Sequence, residues 1–218
     1  MIHFVYIWSI IETNPMKTIL SSCLLLAFTI RGAAQILTTD PPFPTQTDDI
    51  TITYNAASGN GELANAIPLY AHTGIVVQAD VDNCINNWQY VKGPDNVWGT
   101  ANSSLLLSPQ GNNIHTITIN PSTFYDEMPS GTDVARLMFV FRNANGSLVG
   151  RNANGSDIYL DLYEPGFHAG ILQPFEQVIN ANVNENIPLH CASSSPATLT
   201  LTINGEVVAT AENATVLD

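Results

Sequence analysis

The residues best placed to do chemistry in this chain are rings and carboxylates. Tyr70, His72, Trp88, Tyr90 and Trp98 fall in one early stretch, and Asp157 and Asp161 come later. On extended chain Tyr70 and His72 share a face, as do Trp88 and Tyr90, because successive side chains alternate. Flat rings laid on the apolar faces of sugars, with polar neighbours for the hydroxyls, are a means of holding neutral glycans. A sandwich core also buries a Trp. The expectation is that one of Trp88 and Trp98 is core and the other exposed. Asp157 and Asp161 resemble a glycosidase pair only superficially. Four residues along a strand span roughly 13 Å, whereas such carboxylates sit about 5 to 9.5 Å apart. With Asn152 or Asn154 they could instead offer oxygens to a calcium ion. No motif fixes the number of ligands, so no cofactor is assigned and calcium stays open. The sequence holds no Gly-x-Ser-x-Gly elbow, His-Glu-x-x-His, phosphate loop or paired-cysteine metal spacing. His3, His72, His115, His168 and His190 are scattered and suit structural roles. Catalysis by these residues alone is not expected.

The elements that must position such residues centre on Leu137 to Tyr163. Leu137, Phe139 and Phe141 alternate with Met138 and Val140, which puts the three larger side chains on one face. Arg142-Asn143-Ala144-Asn145-Gly146-Ser147 follows, and the same six letters recur as Arg151 to Ser156. Each copy carries Asn-Gly, a strong hairpin signal, because both central residues of a type I′ turn need φ > 0. In the exit strand, Ile158, Leu160 and Leu162 should face a core. Asp157, Tyr159, Asp161 and Tyr163 should face water.

Composition narrows the partners. The net charge is −13 with 45% hydrophobic and 11% charged residues. Removing the first 35 residues takes Lys17, Arg31 and Glu12, leaving 4 basic and 18 acidic residues, a net of −14. Such a surface repels phosphate backbones, which excludes nucleic acid and leaves a neutral polymer or a cation. Of three cysteines, Cys23 lies in the leader, and Cys84 and Cys191 are far apart, so no disulfide framework is expected.

In order, residues 1–35 read as a signal region. Met16-Lys17 is the expected start, followed by the apolar run Ile19 to Ile30 and Gly32-Ala33-Ala34-Gln35. This mostly apolar run of twelve residues is too short to span a bilayer, which needs about 20. The chain should therefore be secreted or held at the cell surface, with no membrane span. Leu20-Ser21-Ser22-Cys23 imitates a lipoprotein box, but most of the apolar run follows the cysteine. Pro41-Pro42-Phe43-Pro44 is an extended lead-in. Strands are expected at Ile50 to Tyr54, within Ile67 to Val77 (one or two, around Gly74), at Trp88 to Val91, Leu105 to Leu107 and Ile114 to Ile119, then the central run. Glu164-Pro165-Gly166 stops the sheet and Ile171 to Phe175 reads as a linker. Beyond it come a strand at Ile187 to Cys191 and a hairpin, Thr198 to Ile203 with Glu206 to Ala211, closed by Asn204-Gly205. The fold class is all-β: an antiparallel immunoglobulin-like sandwich of seven to nine strands over 36–170, followed by a truncated second immunoglobulin-like unit over 171–218.

Leu69-Tyr70-Ala71-His72-Thr73-Gly74, Trp88, Gly111-Asn112, Phe139-Val140-Phe141-Arg142 with Asn145-Gly146, and the Asp157 to Tyr163 strand together resemble short β-sandwich starch-binding modules, carbohydrate-binding-module families twenty-five and twenty-six. The run is also similar to the N-terminal region of secreted α-amylase-type enzymes of the Bacteroidetes. In those, a segment similar to Leu172 to Asp218 leads into a catalytic barrel. The resemblance covers roughly residues 41 to 218. It implies α-glucan contacts at Tyr70 or His72 and at Trp88, with Asn152 and Asp157 as polar contacts, and a downstream catalytic domain as the partner in the same chain. The modules tend to place Trp-Asp-Asn after the Phe-x-Phe strand, where this chain has Gly150-Arg151-Asn152. Arg151 can donate hydrogen bonds there but is no stacking platform. Two other readings stand beside this one: a spacer or docking module that binds no sugar, and a cell-surface adhesion protein.

Overall fold

The computed structural model describes residues 2–6, 35–83, 87–92, 98–125, 127–174 and 186–218. The expected signal region (apart from Ile2–Tyr6 and Gln35), Cys84, the Gly93 to Asn96 break and Phe175 lie outside these residues. The chain divides into two compact units, Ala34–Ala169 and a second made of Gly170–Asp218 with Met1–Ala33.

The strand β1 (Ile2–Tyr6) belongs to the second unit. The first unit begins with β2 (Leu37–Asp40) and β3 (Ile50–Asn55), then β4 (Leu69–Val77), the short helix α1 (Gln78–Asp82) and β5 (Gln89–Lys92). A 3-10 turn at Ser103–Leu105 precedes β6 (Ser108–Gly111) and β7 (Ile114–Ile119). The single-turn helix α2 (Pro121–Phe124) leads to β8 (Val134–Asn143), β9 (Val149–Gly150) and β10 (Ile158–Asp161). Two sheets form, with strand orders β2-β3-β7-β6 and β10-β8-β4-β5, and β9 also pairs with β8. Every pairing within them is antiparallel.

Alternation explains how the sheets meet. Ile50, Ile52 and Tyr54 of β3 and Ile117 and Ile119 of β7 bury one face. Leu69, Ala71 and Ile75 of β4 and Leu137, Phe139 and Phe141 of β8 meet them from the other sheet in one core. Burying side chains of this size contributes about 1.5–3 kcal/mol each. Tyr54 stacks on Phe141 with centroids 3.9 Å apart, and Phe139 follows at 5.5 Å. Gly150 is bare because a Cβ there would collide with the Tyr54 hydroxyl. This unit is therefore an all-β sandwich of antiparallel sheets.

Several elements differ from expectation. The strand β4 runs unbroken through Gly74 because β8 pairs with it continuously from Leu69 to Val76, while the pairing with β5 shifts register between Thr73 and Ile75. Leu105 to Leu107 is not a strand. Leu105 closes the 3-10 turn and Leu106 makes one isolated bridge to Tyr70, since the apolar side chains here serve the core without a ladder. Leu37–Asp40 is a strand that its Thr-Thr-Asp composition concealed.

In the second unit β11 (Ala169–Gln173), β12 (His190–Ile203) and β13 (Glu206–Leu217) join β1 in one sheet. Residues expected as linker thus form β11. The strand β1 runs parallel to β12, Ile2 opposite Leu199 and Tyr6 opposite Ile203. The β12–β13 hairpin turns at Asn204 (φ 52°) and Gly205 (φ 87°), the pair of positive values a type I′ turn requires. Cys191, Leu199, Leu201 and Leu217 form a small buried cluster, and Cys191 is a free thiol. A single sheet among the described residues does not define an immunoglobulin-like pairing. No helix among the described residues is long and apolar enough to cross a membrane.

Candidate functional site

The inward alternation of β4 turns Tyr70, His72 and Gly74 onto the opposite face of the same sheet. On β8 the matching outward positions are Met138, Val140 and Arg142. His72 lies opposite Val140 and Tyr70 opposite Arg142. Trp88 settles over Gly74, whose missing side chain makes room: a Cβ there would stand 2.9 Å from the Gln89 carbonyl oxygen and 3.4 Å from the Trp88 ring. The His72 imidazole stacks on Trp88, with centroids 5.7 Å apart at 27°, and meets Trp98 edge-on at 5.2 Å and 78°. His72 and Trp88 are half-buried, and Trp98 is 44% exposed. Two indoles therefore flank His72 on the outer face of β4.

Tyr70 departs from its expected role. It is only 9% exposed, and the Arg142 guanidinium lies 5.5 Å from its centroid. The arginine that shares its outward register covers the ring and leaves no face for a ligand. The same guanidinium is 5.6 Å from the Trp98 ring. It donates to the carbonyl oxygens of Thr100 (2.5 Å), Asn143 (3.1 Å) and Ala144 (3.2 Å). Trp98 Nε1 donates in turn to the Gly146 carbonyl at 3.1 Å.

The two identical hexapeptides make the same turn, though not a type I′ turn. The Gly146 amide donates to Asn143 O (3.1 Å), and the Gly155 amide to Asn152 O (2.8 Å). Ser147 N donates to Asn145 Oδ1 and Ser156 N to Asn154 Oδ1, at 3.1 and 3.0 Å. Only the glycine of each Asn-Gly pair has positive φ, 70° at Gly146 and 82° at Gly155. Each is a type I turn closed by a left-handed glycine. The asparagine side chains bond their own backbone two residues on, which satisfies the turn without forcing Asn to positive φ.

Asn152 lies in the second copy and Asp157 directly follows it. Asn152 Nδ2 donates to Ser156 Oγ (3.1 Å) and to the Asp157 carbonyl (2.7 Å), so its amide nitrogen is committed to the turn. Asp157 is ion-paired with Arg151. Asp161 pairs with Arg136, which also lies over the Tyr159 ring at 4.7 Å. Each carboxylate thus holds a guanidinium, whose positive charge would oppose a cation placed beside it. No three His, Cys, Asp or Glu side chains converge among the described residues. The exit strand otherwise follows expectation, with Ile158 buried and Tyr159 and Tyr163 exposed.

Burial holds the His72 imidazole below its ordinary value of about 6.5. Arg142 lowers it further, Asp157 opposes, and Arg151 adds to the lowering. At neutral pH His72 is thus an uncharged ring with hydrogen-bonding nitrogens beside two indoles. Burial likewise lowers Arg142. The part Arg142 plays is hidden in the sequence. Its only trace there is that each repeated hexapeptide opens with arginine. Trp98 stands in the sequence without a role of its own, because nothing local says which indole will be covered.

Fold and geometry together define an all-β protein with an outward cluster of a histidine and two tryptophans backed by a buried arginine. A scan of protein-family models and a search of curated proteins found no match to this chain.

Proposed function

We propose that this chain is the non-catalytic, carbohydrate-binding region of a secreted polysaccharide-degrading enzyme of α-amylase type, and that it binds α-glucan weakly through His72, Trp88 and Trp98. The observation that carries the reading is the pair of indoles flanking His72 on the wet side of β4, one of them 44% exposed. An indole offers the largest flat apolar area of any side chain, and a neutral imidazole can donate and accept hydrogen bonds to sugar hydroxyls. With one well-exposed ring and two half-buried ones the contact area is small, so binding is weak. The acidic surface is no obstacle to a neutral polymer.

Native electrophoresis of the whole chain in gels containing soluble starch tests this. Retardation relative to a starch-free gel, diminished by Trp98→Ala and by Trp88→Ala, is expected. Equal mobility in the two gels would sink the binding claim. The covered Tyr70 ring favours the second reading, a spacer or docking module that binds no sugar. That reading prevails if a folded chain shows no retardation at any starch concentration.

A further inference from the structure

We infer that Arg142 is a positioning residue: it fixes Trp98 against the sheet so that one face of the indole stays presented beside His72. The purpose of that ring rests on the glycan-binding reading, whereas the positioning itself does not. Arg142 is 2% exposed, and Nε finds no partner among the described residues. Its described acceptors are the three backbone carbonyls of Thr100, Asn143 and Ala144. Burying a guanidinium without a carboxylate is costly, and an apolar side chain of similar volume would fill the space at less cost. What an apolar side chain cannot do is tie two segments together. One fork of Arg142 reaches Thr100, two residues beyond Trp98, and the other reaches the first turn. That turn accepts the indole N–H at Gly146, where a Cβ would collide with the ring. Arg142 and the turn that follows it thus hold this segment at two points, the Trp98 indole and the Thr100 carbonyl.

The second hexapeptide serves as an internal control. Arg151 opens an identical turn, yet it is part-exposed and ion-paired with Asp157. The turn conformation therefore does not itself require a buried arginine. The rings on Arg142, with Tyr70 beneath and Trp98 above, are the difference. Lysine could satisfy fewer of these acceptors, because its ammonium is a point donor and not a planar fork.

The experiment uses the whole chain labelled with 5-fluorotryptophan, with no sugar present. The fluorine resonance of Trp98 is assigned by its loss in Trp98→Phe. In Arg142→Met that resonance should move toward the position of free tryptophan and gain solvent exposure. Arg142→Lys should show a smaller displacement, and Arg151→Met none. Unchanged Trp98 fluorine signals in a folded Arg142→Met overturn the proposal. If that variant does not fold, an unchanged signal in Arg142→Lys overturns it equally. A displacement as large in Arg151→Met also does so, since the effect would then be general loosening. Because no sugar enters, loss of the glycan reading in starch gels leaves this result standing, and the reverse also holds.

Discussion

Trp98 and His72 are the single residues on which the functional reading is most exposed to test. Trp98 is held by one hydrogen bond and by contacts with Arg142 and His72, and nearly half its surface is open. Trp98→Ala is expected to cost about 1 kcal/mol of stability, within the ordinary range for a part-exposed side chain, while abolishing most retardation in starch gels. Urea midpoints beside gel mobilities separate the two effects. His72 predicts a pH dependence. Its folded-state value is lowered, so below about 6.5 the unfolded chain takes up a proton that the folded chain refuses. The stability it contributes is complete above that pH and is lost as pH falls toward the folded value. Urea midpoints should decline between neutral and mildly acid pH. His115 is buried with its value also lowered, so His72→Gln should remove part of the decline and His115→Gln another part. An unchanged slope in His72→Gln refutes the assignment.

At the scale of elements, the twin turns permit a controlled comparison. Gly155 has positive φ with open space where a Cβ would stand, whereas Gly146 has positive φ and the Trp98 indole against it. Gly155→Ala should cost about 1 kcal/mol, the conformational penalty of a left-handed alanine. Gly146→Ala should cost more and should shift the tryptophan emission, which Gly155→Ala leaves alone. Equal costs with equal spectra would mean that the turn does not hold the indole. The core strand β8 carries a larger load. Phe139→Ala, which removes a wholly buried ring stacked beside Phe141 in the core, is expected to cost about 3–5 kcal/mol in chemical denaturation. The strand and its alternation were plain in the sequence, because period 2 along a run of aromatic and aliphatic residues has few other readings. The turn type was not. Asn-Gly favours type I′ in a two-residue loop, but here the serine amides that follow offer the asparagine oxygens local bonds. Type I with a left-handed glycine results in both copies. Between β12 and β13, where Asn204-Gly205 is a two-residue loop, the same dipeptide does form type I′.

For the whole molecule, charge gives the clearest expectation. With 19 acidic against 6 basic residues, the chain should pass unretained through immobilised heparin or DNA at about 0.1 M salt, where screening acts beyond roughly 10 Å. Retention would point to a concentrated basic patch and would weaken the case for a neutral partner. At the sequence level the expected boundary rested on the stop at Glu164-Pro165-Gly166 and on Ile171 to Phe175 read as a linker. The strand β11 was not legible there, because five residues that include a glycine have no periodicity to read. Nor was the parallel pairing of β1 with β12, since a partner some two hundred residues away leaves no local mark.

Sequence by itself determined the all-β class, the inward faces of β3, β7 and β8, the acidic surface, and the candidate rings. Those properties follow from local alternation and composition, which each segment carries alone. Only the tertiary structure decided which rings are open. Tyr70 and His72 occupy equivalent positions on one strand, yet Arg142 from the neighbouring strand covers the first, and two indoles from distant segments flank the second. That outcome depends on cross-strand register and on which loop folds over which face, and neither is written in the spacing of any single segment.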